Sequence, residues 1–550
     1  MPLQSAHHKM VQRVQRLNAI GIALSSEQNP SVLLEEILMG ARELTNADAG
    51  TLYIVEGTGP LTAKRLRFAL VQNDTLQIHF GGTGQPVDKT FSDIPLYLGE
   101  LPNERMVAAF SVLQNKMVNI TDAYQEEGFD FQGTRQFDQR TGYRSESMLA
   151  VPLNNHENET IAAIQLLNKK DTAGNTIAFN DEDMELLSSL ASQAAIALSN
   201  RQLIDDLHQL FESFTQVIAT AIDAKSPQTG AHCRRVPDVT LMLAQAANGA
   251  KYPGIEKFEM SDNDMYALEI AAWLHDCGKI VTPPHIVEKA TKLETISDRI
   301  AVIEARIEIF LRDQRIAALE AEVTALKTGE PLQESARHFE KSMSFWQQTL
   351  DFLRATNKGG EFLSDEDIEK LEQLSHYHYT TIEGQQQPLI TQEELVNLSV
   401  RRGTLTDEER QIMNDHMVHT IAMLEQLPFP KHLKNVPEYA GGHHERMDGT
   451  GYPKGLSREE MSLPARIMGI ADVFEALTAP ERTYKKPMPL SKTLTIMGRM
   501  VENQHLDPDL FNLFIEHKVY MEYANKHLQP EQIDEVDLTQ LPGFSPRYTG

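Results

Sequence analysis

The sequence predicts a multidomain chain: an α+β domain with an antiparallel sheet, then a long linker helix, then a helical region carrying an inserted helical hairpin. Three observations support this. Between residues 27 and 180, the runs AGTLYIVEG, LRFALVQ, LQIHFGG, SMLAVPLNN and TIAAIQLLNKK are short, apolar or alternating, and bounded by Gly, Asn and Asp, as strands are. Residues 181–226 begin with a stretch free of Gly and Pro whose apolar residues step by three and four. Beyond it the period is helical, and residues 297–402 are rich in Ala, Glu, Leu and Arg, with Gly329 and Pro331 marking a turn between two helices.

With 550 residues the chain has room for two or three domains, each large enough for its own core. The 51 Lys and Arg against 78 Asp and Glu give a net charge of −27, which repels nucleic acid and anionic membranes. Any nucleotide substrate must therefore be drawn in by local cations. Two cysteines, Cys233 and Cys277, exclude a disulfide scaffold and a Cys-x-x-Cys zinc site. No apolar run approaches the roughly 20 residues of a membrane helix, and MPLQSAHHKM lacks a signal peptide's apolar region. The expectation is a cytoplasmic protein with neither nucleic acid nor membrane as partner.

The expected divisions are a helical segment over 1–26, the α+β domain over 27–180, the linker over 181–226, a helical domain over 227–530 with its insert at 297–402, and an acidic, loosely held tail over 531–550. Along the linker, Leu187, Leu190, Ala194 and Ala197 form one stripe. Ile204, Leu207, Phe211, Phe214, Ile218 and Ala221 form a second, joined to the first through Arg201 by a three-residue slip. This pattern predicts a parallel homodimer through the linker helix.

Chemistry-bearing residues cluster in the helical domain. The stretch HHERMDGTGYP opens with His443 and His444, which on a helix point about 100° apart and so could serve two ions side by side rather than chelate one. In LHDCGK, His275 and Asp276 end an apolar run, where unpaired charge is costly and a metal would offset it; a helix end capped by Asp and Gly278 is the plainer reading. His232 lies one turn before Arg235, and Pro237 kinks or restarts that helix. Asp407 is a candidate cap for a helix presenting His416 and His419 on one side. Asp472 reads as a lone carboxylate in an apolar helix, expensive unless it is a ligand. His376 and His378 read as surface residues.

The α+β region resembles a GAF domain of the cyclic-nucleotide-binding type. The resemblance rests on VNITDAY, TGYRSESMLAVPL and the motif residues Asn168, Lys169, Phe179 and Asp183, with Met184 where the motif ends in glutamate. It implies the fold and, more loosely, a cyclic mononucleotide (cAMP or cGMP) as effector; a ligand-free dimerisation platform is the alternative.

The order His232, His275-Asp276, His416, His443-His444, Asp472, with Gly451-Tyr452-Pro453, resembles the HD-GYP family of cyclic di-GMP phosphodiesterases over residues 220–300 and 403–500. That resemblance implies an all-α bundle in which those seven side chains hold two divalent metals, usually iron or manganese, with Asp276 bridging. Lys279 and Asp276 are then catalytic. Lys279, Arg482 and Lys485 bind phosphate, and Asp448, Gly451, Tyr452 and Pro453 shape the substrate loop. Gln228 stands where some members place a glutamate for a third metal, which favours two. The implied reaction is hydrolysis of cyclic di-GMP to pGpG or GMP. Cyclic GMP-AMP is the alternative substrate, and a catalytically idle receptor the alternative class.

Overall fold

The computed structural model describes the chain except for residues 1, 28, 58, 88–90, 226–231, 329–334, 361, 480–486 and 547–550, together with the side chains of 2–10, 61 and 335–340. Gln228, Arg482 and Lys485 lie outside the described residues. Two compact units, 1–210 and 211–550, divide within the helix Asp181–Lys225.

The first unit is the expected α+β domain. Its central sheet runs, from one edge, Ile78–Gly81, Arg65–Asn73, Ala47–Glu56, Thr160–Lys170, Met148–Asn154 and Val118–Ile120, with antiparallel neighbours. Alternation sends Leu52, Leu149, Val151 and Ile164 to one face, where they pack on Ile37, Leu38, Leu187 and Leu190 from helices. The four GAF-motif residues hold this arrangement together. The Asn168 side chain donates to the Arg144 carbonyl (2.7 Å) and accepts from the Glu146 amide (2.8 Å), and Phe179 is buried in the helix-facing core. Lys169, on a strand, pairs with Asp183, in the first turn of the long helix, and Arg13 reaches the same carboxylate at 3.2 Å. Both partners of the pair are buried, so removing one would strand the other charge. On the opposite face the sheet borders a cavity of about 600 Å³ whose lining includes Tyr53, Phe68, Gln72, Phe91, Phe137 and Gln165. None of the four motif residues lines it.

The second unit is mostly helical. The helices His232–Ala247, Asp262–Leu274, Leu463–Thr478, Leu490–Glu502 and Pro508–Glu516 bury Val236, Leu243, Leu268, Phe474, Leu494 and Phe514 in one core. Pro237 sits inside the first helix without ending it. The C-terminal segment is not loose up to residue 546. Leu541 is buried in the same core, Ile533, Val536 and Phe544 pack against it, and the Asp534 carboxylate accepts from the Ser491 amide at 2.9 Å.

Several local expectations are corrected. Thr406, not Asp407, caps the helix Asp407–Asn414, forming a reciprocal pair with Glu409. A new helix starts at His416; His416 is buried, and His419, three residues on in the same helix, is exposed. Along the long helix, Phe211 and Ile218 pack against the second unit's core, while Leu203, Leu207, Leu210, Phe214 and Val217 are exposed and step by four and three. The insert is more than a hairpin. Beside the helices Ile300–Thr328 and Ser335–Asn357 it contains a two-stranded ribbon, His378–Thr380 with Gln386–Pro388, and a core of its own around Ile303, Trp346, Leu353 and Leu371. His376 and His378 are exposed.

Lys292 is buried at the base of this insert, donating to the Leu398 carbonyl at 3.0 Å, and burial pushes its ammonium down to about 8. The unfolded chain therefore binds a proton that the folded chain lacks between about pH 8 and the ordinary lysine value near 10.4, so stability rises with pH across that window. Lys292→Met removes this dependence. The gap between the melting temperatures of variant and wild type is expected to shift in favour of wild type from pH 7 to pH 9.5; a constant gap contradicts the assignment.

Candidate metal centre

Five segments deliver the site. His232 opens one helix, and His275 and Asp276 follow the C-terminus of another. His416 opens the restarted helix, His443 and His444 follow the short helix Val436–Gly441, and Asp472 lies in mid-helix within Leu463–Thr478. All seven come together. The groups His232/His275/Asp472, His275/Asp276/His443 and His416/His443/His444 each place one ligand atom per residue within 4.8 Å of the others. Asp276 faces two ways: Oδ2 lies 3.3 Å from His275 Nε2 and 3.7 Å from His232 Nε2, while Oδ1 lies 3.3 Å from His416 Nε2. His232 Nε2 is also 3.1 Å from Asp472 Oδ1.

Close packing makes this possible. Gly278, two residues after Asp276, lies against the restarted helix so tightly that a Cβ there would stand 1.9 Å from the His416 carbonyl oxygen and 2.6 Å from the Thr420 amide. Its own amide donates to Thr420 Oγ1 at 2.9 Å. Glycine is needed here for approach rather than as a helix cap.

The rings are oriented by a repeated device. The Nδ1 atoms of His275, His416 and His443 lie 2.7, 2.5 and 2.7 Å from the carbonyls three residues earlier, of Ala272, Met413 and Ala440. Donation from Nδ1 fixes the tautomer and leaves each Nε2 as an inward-facing acceptor. Those three Nε2 atoms and Asp276 Oδ1 are buried and have no hydrogen-bond partner. Buried polar atoms rarely stay unpaired, because each loses its hydration without replacement. Four such atoms aimed at one place, in a set of imidazoles and carboxylates, fit divalent metal ions.

Electrostatics agrees. Burial, aided by neighbouring rings, holds His443 well below the ordinary histidine range, and burial brings His444 to about 4, so both are neutral donors at pH 7. Burial alone would raise the carboxyls of Asp276 and Asp472. For Asp276 the charge of Lys279 outweighs it, and for Asp472 the hydrogen bond from His232, so both stay ionised. Lys279 Nζ lies 2.5 Å from Asp276 Oδ2. Around the loop, Tyr452 stacks on His444 with ring centres 4.8 Å apart. Asp448 is exposed and accepts from the Thr450 amide (2.9 Å) and hydroxyl (2.6 Å), shaping its own turn. A Cβ on Gly451 would meet the Arg446 amide at 2.4 Å. The Tyr452–Pro453 bond is cis, and Pro453 is half-buried.

Three supporting residues escape sequence reading. Asp472 is not alone: Glu475, one turn on and fully buried, pairs with His232 Nδ1 and accepts from Arg235 Nε at 2.6 Å. A second carboxylate three residues after Asp472 in an apolar helix was the available signal. Glu445, also buried, accepts from the Lys454 (2.7 Å) and Leu456 (2.9 Å) amides and ties down the loop. Lys225 donates to the carbonyls of Lys279 (3.2 Å) and Ile280. Glu475→Gln keeps the shape but removes the charge that orients His232. It is expected to weaken metal binding about 10–100-fold, measured by competition with a chelator; unchanged affinity would mean that Glu475 supports only the fold.

Comparison with known proteins agrees with the geometry. Residues 29–198 match the GAF domain model and 391–510 the HD domain model. The chain thus carries a GAF domain followed by an HD domain, the latter a family of metal-dependent hydrolases. The HD match begins near the end of the insert, so His232, His275 and Asp276 precede it and join the site through space.

Among curated relatives, the chain is similar to the 3'3'-cGAMP-specific phosphodiesterase 3 of Vibrio cholerae, 43% identical over 20% of this chain and 23% of the relative. It is also similar to a probable cyclic di-GMP phosphodiesterase of the same organism, 36% identical over 24% of this chain and 32% of the relative. A cyclic di-GMP phosphodiesterase of Pseudomonas aeruginosa is 38% identical over 21% of this chain and 26% of the relative. The matches thus span about a quarter to a third of these relatives. No helix among the described residues is long and apolar enough to cross a membrane.

Proposed function

We propose that the helical unit hydrolyses a cyclic dinucleotide at two divalent metal ions, with cyclic di-GMP as substrate and pGpG or GMP as product, and that the GAF domain regulates it. The observation that carries this reading is the convergence of four buried, unpartnered ligand atoms within a set of seven ligand-type side chains. His232, His275 and Asp472 would hold one ion and His416, His443 and His444 the other, with Asp276 between them. Mixed imidazole and carboxylate donors suit iron or manganese. When bound, such a pair supplies Lewis acidity that makes water nucleophilic near neutral pH and offsets phosphate charge.

The chain's own groups position the substrate. Lys279, kept cationic beside Asp276, can donate a charge-assisted hydrogen bond to a phosphate oxygen, and Arg482 and Lys485 are proposed to do the same. These cations offset the repulsion from a chain of net charge −27. Tyr452, held flat on His444, carries the loop 448–453 to the edge of the site, with Asp448, Gly451 and Pro453 setting its course. A cyclic mononucleotide fits the GAF cavity by size and lining: aromatic rings for a base, Gln72 and Gln165 for its polar edge. The exposed stripe on the long helix supports a parallel homodimer, and the reading places the protein in the cytoplasm.

The 43% match to a cGAMP-specific enzyme favours a second reading, cyclic GMP-AMP as substrate. Turnover of both dinucleotides by metal-loaded protein decides between them. A kcat/KM at least tenfold higher for cyclic di-GMP supports the first and the inverse ratio the second. Tight binding of either without product leaves only a receptor. If neither cAMP nor cGMP binds or alters turnover, the GAF domain serves as a platform.

A further inference from the structure

The turn that carries Lys279 ends on a carbonyl that the following residues cannot satisfy. After Cys277–Ile280 the chain runs Val281, Thr282, Pro283, Pro284. The two residues whose amides could bond the Ile280 carbonyl in a helical turn, three and four positions on, are therefore both prolines and have no N–H. The Thr282 amide goes instead to the Lys279 carbonyl, at 3.1 Å. A backbone carbonyl left in this way needs a donor from elsewhere in the chain or from water.

The linker helix supplies that donor. Lys225, the last residue of Asp181–Lys225, donates from Nζ to the carbonyls of both Ile280 and Lys279, the latter at 3.2 Å. This end of the helix is itself fixed, since Ile222 and Ala219, on the turns before Lys225, are buried in the core of the helical unit. The catalytic turn is thus held at both ends. At its start the Gly278 amide donates to Thr420 Oγ1 at 2.9 Å, and at its finish Lys225 bridges two carbonyls. Lys279 lies between these anchors, with Nζ 2.5 Å from Asp276 Oδ2 and its side chain partly open to solvent.

We propose that Lys225 is a positioning residue for Lys279: by holding the last two carbonyls of the turn, it sets where the Lys279 ammonium meets a substrate phosphate. The end of the linker helix thereby governs substrate affinity rather than the chemical step. This rests on the phosphodiesterase reading and adds to it the point at which the linker reaches the site.

The test is a double-mutant cycle in the metal-loaded 550-residue chain, with wild type, Lys225→Met, Lys279→Met and the pair, measuring kcat, KM and Kd for cyclic di-GMP and cyclic GMP-AMP. Lys225→Met is expected to raise KM at least about tenfold with kcat and bound metal unchanged. Added to Lys279→Met, it should change KM by less than about twofold, because the group it acts through is already gone. Lys225→Arg still donates to the carbonyls and should stay within about threefold of wild type. An unchanged KM in Lys225→Met, a rise of equal size in both backgrounds, or a loss confined to kcat or to the folded fraction overturns the proposal. A wild type that binds but does not hydrolyse either dinucleotide contradicts the phosphodiesterase reading alone, and the same cycle in Kd decides the role of Lys225. A wild type that binds neither overturns both.

Discussion

The double variant His275→Ala with Asp276→Ala is expected to retain no stoichiometric metal and to lose hydrolysis by at least about a thousandfold, or ~4 kcal/mol of transition-state stabilisation. The pair contributes to every part of the site. His275 Nε2 belongs to two of the three candidate ligand groups, and the two Asp276 oxygens face opposite ones. Removing both also frees Lys279 from the carboxylate that holds it 2.5 Å away. Both side chains are buried but lie outside the apolar core, so the helical unit should still unfold cooperatively, which separates loss of metal from loss of fold. Metal analysis and product quantification on the same preparation check this.

Gly278→Ala is expected to do comparable damage with a single methyl group. Its new Cβ would stand 1.9 Å from the His416 carbonyl and 2.6 Å from the Thr420 amide, both backbone atoms that no rotamer change can move aside. Relief requires parting the turn Cys277–Ile280 from the helix His416–Glu425, and with it Asp276 from His416. A displacement of about 1 Å at a reacting centre costs about 10²-fold, so turnover should fall by at least that and metal binding should weaken. The GAF unit should melt as in wild type. Wild-type turnover in this variant would mean that the two segments need not approach so closely.

Much of the site was legible because its ligands sit in short motifs whose residue types are costly to bury otherwise. His275-Asp276 after ALEIAAWL and Asp472 in its apolar helix announce themselves, and they meet the other four residues in space. The supporting residues were not legible for the same reason in reverse. Glu475 acquires its role only by contact with His232, 243 positions away, and Lys225 only by reaching the carbonyls that follow Asp276. His419 shares the helix His416–Glu425 with His416 but is exposed, because spacing within one helix does not say how far its buried face extends. The C-terminal segment looked loose by composition, but a few apolar residues, Leu541 and Phe544 among them, suffice to dock it. The strands of the GAF sheet followed their alternation closely, since one face of each must meet the helices.

Seven side chains from five segments are proposed to form one two-metal centre. The decisive experiment strips the 550-residue chain with a chelator, titrates it anaerobically with Fe²⁺ or Mn²⁺, and measures bound metal per chain. Saturation is expected at two ions in wild type and at fewer than one in the His275→Ala, Asp276→Ala variant. Saturation at the same number in both proteins would contradict it.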